Sequence, residues 1–199
     1  MRKVGTVLLA FAVAFSAYPF WGDGDEVTAA RIDVIKKVVG FAAGWQCGLL
    51  FHEAGHAVAA RLENVGMDWS DMSDPRWTAQ TDDKSKLRVI AAAGYGAEVF
   101  SSEVILGANV IPKDNAFILG WLAFDILNPL IYTLRDSLEK GGYGDMETLR
   151  NSGVNTDIVK VALLAHAALS AYRLYENPKF IPYVSATQSK IVLGLSWRW

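Results

Sequence analysis

The stretch VVGFAAGWQCGLLFHEAGHAVAARL, residues 38–62, decides how the rest of the chain is read. Its glycines fall at Gly40, Gly44 and Gly48, and His52 and His56 continue the same four-residue step. Residues four apart share a face of an α-helix, so a single helix over this stretch carries one face that runs from bare backbone into a pair of imidazoles. Glycine costs about 1 kcal/mol in an exposed helix interior. Three on one face therefore predict close contact with a second helix, which is how helices associate in lipid, where burial itself gives little driving force. A tightly packed helix pair in a soluble protein would carry the same stripe.

Within this helix, His52-Glu53-Ala54-Gly55-His56 has the residue order of the zincin metalloproteases. Both histidines can reach one metal ion, and Glu53 projects beside them, where it can act as general base on water activated by that metal. The chain has three histidines and eight glutamates in 199 residues, and at that composition about 0.002 accidental matches to the template are expected. The bland alternative is a packed polar network on a core helix. Two histidines leave zinc one protein ligand short of the usual three plus water, and the single Cys47 offers neither a disulfide nor a cysteine cage. The candidates for the third ligand are Glu98, Asp125, Asp136, Asp145 and His166. Asp145 stands first because it follows a glycine-rich break at 141–144, although an aspartate there is also an ordinary helix cap. Glu98, flanked by Gly94 and Gly96, stands second. His166 is a further candidate as a group that stabilises an oxyanion, though a lone histidine on an apolar face is more often a satisfied core residue.

Length and composition bound the surroundings of this site. The chain of 199 residues supports one substantial core, expected over residues 22–178 as one helical metalloprotease-like unit. A net charge of −2 offers no electrostatic case for nucleic acid. Apolar residues make up 52% and mean hydropathy is +0.19, high for a soluble domain and low for a chain that is almost all membrane helix. Residues 1–21 open with Arg2 and Lys3 and continue as an apolar run, which reads as a signal peptide or a first membrane helix. Either directs the chain to a membrane. The inner membrane of a bacterium is the expected place, and export to the periplasm is the alternative.

The remaining segments predict a mainly α, membrane-associated helical bundle. Residues 64–86 form a polar excursion with short strand potential, rich in aspartate and carrying Trp69 and Trp77. Such a segment offers either an edge strand for an extended peptide or a plain surface loop. Residues 87–111 return to apolar helix, interrupted in pattern by Gly94-Tyr95-Gly96. Residues 115–134, whose only charge is Asp125, read as a spanning helix. A short helix over 146–152, with Asp145 at its cap position, precedes an apolar helix over 157–175 that is short for a span. At the carboxyl end, 179–199 alternates as strands do and predicts a β-hairpin around Gln188-Ser189.

Three segments together resemble the membrane-embedded zinc metalloproteases of the site-2 protease family, of which this chain looks like a short, divergent member. They are Phe51-His52-Glu53-Ala54-Gly55-His56-Ala57, Ala91-Ala92-Ala93-Gly94-Tyr95-Gly96 and Asp145-Met146-Glu147-Thr148-Leu149, within about residues 38–155. The resemblance implies a Zn2+ ion inside the membrane, held by His52, His56 and a distant aspartate, with Glu53 as catalytic base and a membrane-associated protein or peptide as substrate. The family's distal signature is an asparagine and proline ahead of Asp-Gly. Here Asn128 and Pro129 are adjacent and neither Asp136 nor Asp145 precedes glycine. Asp136 lies eight residues after Asn128, so it stands as a rival to Asp145. The zinc-helix string is also similar to that of membrane-anchored AAA proteases, but no phosphate-binding loop accompanies it. The alternatives are an exported soluble or peripheral zincin and a non-catalytic metal-binding membrane protein.

Overall fold

The computed structural model describes residues 25–69, 77–138 and 144–176, together with the backbone of 180–186 and 191–197. The chain is mainly helical, in the order α1 (Asp25–Leu62), β1 (Met67–Trp69), β2 (Trp77–Ala79), α2 (Lys84–Gly107), α3 (Ala116–Leu138), α4 (Gly144–Asn151), α5 (Thr156–Glu176), β3 (Phe180–Ala186) and β4 (Ile191–Trp197). The apolar segment at 1–21 and the glycines at 141 and 142 lie outside the described residues. The backbones of β3 and β4 pair antiparallel from Phe180 opposite Trp197 to Ala186 opposite Ile191. Gln188 and Ser189, expected at the turn, are also outside the described residues.

Helix α1 begins well before residue 38. Its first turns are polar and carry an Asp33–Lys37 ion pair of 2.7 Å at the i, i+4 spacing that supports a helix without an apolar stripe. At 1.5 Å per residue its 38 residues measure about 57 Å, nearly twice the thickness of a hydrocarbon core. The glycine stripe lies on α3. A Cβ on Gly44 would stand 1.8 Å from the Phe117 carbonyl oxygen, and one on Gly120 would stand 2.0 Å from that of Phe41. The two helices thus meet backbone to backbone. Gly48 admits the Phe124 ring, and Gly55, on another face, admits the backbone of Ala93 on α2.

Helix α2 runs unbroken through Gly94 and Gly96, where the sequence pattern suggested an interruption. Asp83 caps it, accepting from the Ser85 N–H at 2.8 Å and the Ser85 hydroxyl at 2.7 Å, which holds the Asp83 carboxyl below its ordinary range. Asn115 and Asn155 cap α3 and α5 in the same way. Between α1 and α2 the polar excursion folds into a small antiparallel sheet, with Met67 opposite Ala79 and Trp69 opposite Trp77. Val65, Met67, Trp77 and Ala79 pack on Ala59, Ala60 and Ile90. Helix α4 is pinned by Met146 and Leu149, which insert against Ala91, Tyr95 and Leu163.

Four helices are long and apolar enough to cross a membrane by length and composition: Arg31–Leu62, Lys84–Gly107, Ala116–Leu138 and Thr156–Tyr175. The last, expected to be short for a span, meets the same measure. The distribution of side chains agrees with lipid as solvent. Val39, Leu50, Val58, Phe100, Leu134, Ile158 and Val161 point outward, while His52, His56, Glu98, Ser101, Ser102 and Asp125 are buried. Polar groups inside and apolar groups outside is the pattern expected of a bundle whose surroundings cannot hydrogen-bond.

Candidate metal centre

Helix α1 brings His52 and His56 to the interior on the turn beyond its glycine stripe; they are 1% and 0% exposed. Helix α4 enters from the other side. It opens at Gly144, which has a positive φ of 54° and sits against the Tyr132 ring, and Asp145 follows in its first turn. The Asp145 carboxylate is therefore spent on the imidazoles rather than on a helix cap. Its Oδ2 lies 3.2 Å from His52 Nε2 and 3.4 Å from His56 Nε2, and the two Nε2 atoms are 3.1 Å apart. Burial alone would raise the Asp145 carboxyl, but the bonds to His52 and His56 outweigh it and hold that group well below the usual carboxylate range.

The outer nitrogens of both rings face acceptors. Nδ1 of His56 donates to the Ile90 carbonyl oxygen at 2.7 Å. A carbonyl can only accept, so this nitrogen carries a proton, and in the neutral ring Nε2 is then left with a lone pair. Nδ1 of His52 lies 2.5 Å from Glu98 Oε1, a short ion-pair contact set off the straight N–H line. A carboxylate there favours the same tautomer. With both rings neutral in this tautomer, two imidazole lone pairs and a carboxylate oxygen face one another; the bonds that hold Asp145 low need a further proton on a ring. A proton on one ring can bridge part of this triangle; a metal ion would bridge all of it. His52, His56 and Asp145 together could hold a metal ion.

Space for the rings is made by Gly94 on α2, where a Cβ would stand 2.4 Å from His56 Nε2 and 2.7 Å from His52 Cε1. Trp77 on β2 closes another side. Its indole N–H donates to Asp145 Oδ1 at 3.2 Å, and its ring lies 5.0 Å from that of His56. The Glu53 carboxylate feels the charges of His52, His56, Asp145 and Glu98, and its buried Oε2 has no hydrogen-bond partner among the described residues.

The other sequence candidates are placed elsewhere. Glu98 stands behind His52, at the nitrogen that faces away from Asp145. Asp136 is held by Arg150 at 2.5 Å and Lys160 at 2.6 Å. Asp125 accepts from the Ser101 hydroxyl at 2.6 Å, and His166 Nε2 lies 2.9 Å from the Ser102 hydroxyl, between α2 and α5. None of these four belongs to the convergent set of His52, His56 and Asp145 among the described residues, and His166 takes part in a contact between helices. Trp77, Ile90 and Asn128 are neighbours of the site that sequence reasoning did not assign to it. Gly94 had a signal, its position in a glycine pair, but that pattern read as an interruption of the helix rather than as room for imidazoles.

No protein-family model matches the chain, and neither a curated protein nor a solved structure matches it.

Proposed function

We propose that this chain is an integral-membrane zinc metallopeptidase that hydrolyses peptide bonds of a membrane-associated protein, a short and divergent relative of the site-2 proteases. The observation that carries the reading is the donor triangle. Tetrahedral zinc with bonds of about 2.0–2.1 Å sets neighbouring donor atoms about 3.3–3.4 Å apart. The three edges here measure 3.1, 3.2 and 3.4 Å. Three protein ligands with a fourth position open is the composition of a catalytic rather than a structural zinc site.

Zinc held there supplies a Lewis acid that brings the pKa of water to about 7 and polarises the scissile carbonyl. The residues of the chain supply the rest. Glu53 takes a proton from the attacking water through its unpartnered oxygen and returns it to the departing amine, so that a C–O bond forms, the C–N bond breaks and the carboxylate is regenerated. Trp77 and Glu98 keep Asp145 and His52 in place meanwhile. Burial between α1, α2 and α4 limits bulk water, which strengthens each of these interactions. Inner-membrane placement in a bacterium suits the four apolar helices and the polar interior.

The test is metal content and hydrolysis measured on the full chain purified in detergent, as wild type and as Glu53→Gln. Both should hold about one zinc per chain, and only the wild type should cleave a reporter polypeptide tethered to a transmembrane helix. Full hydrolysis by Glu53→Gln would remove the assigned base. Wild-type chain that takes up no divalent metal would leave a non-catalytic membrane protein. Release of the intact chain by alkaline carbonate would favour a peripheral zincin.

A further inference from the structure

We infer that Glu98 is the positioning residue of the metal centre, and that together with Asn128 it fixes the tautomer and orientation of His52. The inference rests on reading His52, His56 and Asp145 as a metal centre.

His52 sits between two carboxylates. Asp145 Oδ2 is 3.2 Å from Nε2, and Glu98 Oε1 is 2.5 Å from Nδ1. Glu98 is 2% exposed and lies on α2, one turn beyond Gly94, so the segment that makes room for the rings also carries the carboxylate behind one of them. The Asn128 amide donates to the same Oε1 at 2.5 Å from α3, immediately before the buried Pro129. Three helices thus converge on one oxygen: α1 through His52, α2 through Glu98 and α3 through Asn128.

A carboxylate buried in an apolar bundle is costly unless it is paired or functional. The ring that Glu98 meets is the one that needs a partner, because a metal-ligating imidazole presents a lone pair at one nitrogen only if the other keeps its proton. An acceptor at Nδ1 fixes that proton and turns Nε2 inward. A charged acceptor also raises the basicity of Nε2. The two histidines are not equivalent in this respect: His56 leans on the neutral carbonyl of Ile90 and His52 on an acid.

The experiment measures zinc affinity, by chelator competition, and the visible spectrum of the cobalt-substituted protein, for full-length chain in detergent. The variants are Glu98→Gln, Glu98→Ala, Asn128→Ala and Asp145→Ala. Outer-shell partners of ligating histidines are typically worth 10- to 100-fold in metal affinity. Glu98→Gln keeps an acceptor of the same shape and loses the charge, and it should bind about 10-fold more weakly with a wild-type cobalt spectrum. Glu98→Ala frees the ring and should bind about 100-fold more weakly with an altered spectrum. Asn128→Ala should fall nearer to Glu98→Gln. A role in folding alone would lower the melting temperature and leave the affinity and spectrum of the folded fraction unchanged. If Glu98→Ala does not fold, Glu98→Gln decides. Wild-type affinity in folded Glu98→Gln and Asn128→Ala overturns the inference while the metal centre stands, whereas loss of the expected difference between wild type and Asp145→Ala overturns the metal centre itself.

Discussion

Gly94 on α2 lies directly against His56 on α1, so close that a Cβ at Gly94 would stand 2.4 Å from the Nε2 atom and 2.5 Å from Cε1. The ring cannot retreat, because its other nitrogen is tied to the Ile90 carbonyl one turn earlier on the same helix. Gly94→Ala therefore forces either the helices apart or the imidazole out of the donor triangle. Overpacking of this kind costs about 1–3 kcal/mol. We expect zinc affinity to fall by more than the loss of a positioning contact, beyond about 100-fold. Chelator competition checks this. Gly96→Ala serves as control, since nothing lies within 4 Å of a Cβ there, and it should bind as wild type.

Trp77 gives Asp145 Oδ1 a donor of its own, while the imidazoles face Oδ2. In Trp77→Phe an aromatic ring stays over His56, while the N–H that reaches Asp145 Oδ1 at 3.2 Å is gone. A hydrogen bond to a charged group contributes about 1.5–3 kcal/mol, and part of that should appear as weaker metal binding, about 10-fold. Wild-type affinity in this variant would reduce Trp77 to a packing residue.

The helix of the candidate metal site was legible in the sequence because its information is local: His52, Glu53 and His56 fall within two turns of one helix, and the Gly40, Gly44 and Gly48 stripe within three. Asp145 was legible more weakly, from the glycine break before it, where a helix cap was the alternative; its carboxylate faces the imidazoles. Glu98 drew attention as an acid beside glycines but was expected within the donor set rather than behind His52. Its contact with His52 spans 46 positions in the chain and depends on the depth at which α2 crosses α1, which Gly55 and Gly94 set through packing rather than pattern. The start of α1 was missed for the opposite reason. Its polar first turns are held by charge spacing, which an apolar-periodicity reading does not see.

The α1–α3 crossing should be the most sensitive contact in the bundle. Gly44 and Gly120 are each within 2.0 Å, measured from an added Cβ, of a carbonyl oxygen on the opposite helix, and neither oxygen belongs to a flexible side chain. Alanine at either position must separate the helices. Without a hydrophobic driving force in lipid, little restores the lost packing. Gly44→Ala and Gly120→Ala should each lower stability by at least about 1–3 kcal/mol, measured as a drop in melting temperature in detergent. Gly107→Ala, with nothing within 4 Å of its Cβ, should not.

Asp136 and Asp145 separate an ion-paired acid from the candidate metal ligand. Asp136 is buried against Arg150 and Lys160, and the Arg150 side chain is 39% exposed, so solvent screens part of the attraction. That contact keeps the Arg150 guanidinium above its ordinary pKa. Asp136→Asn should cost about 1–3 kcal/mol and leave zinc affinity unchanged. Asp145→Asn removes the charged donor of the triangle and should abolish zinc binding. The two variants also predict opposite responses to a chelator. A bound metal stabilises the folded state by about 2.7 kcal/mol when present at 100 times its dissociation constant, so EDTA should lower the melting temperature of wild type and of Asp136→Asn alike. In Asp145→Asn, EDTA should change nothing. A melting temperature that responds to EDTA in Asp145→Asn, or that fails to respond in wild type, would mean that no metal links α1 to α4 through Asp145.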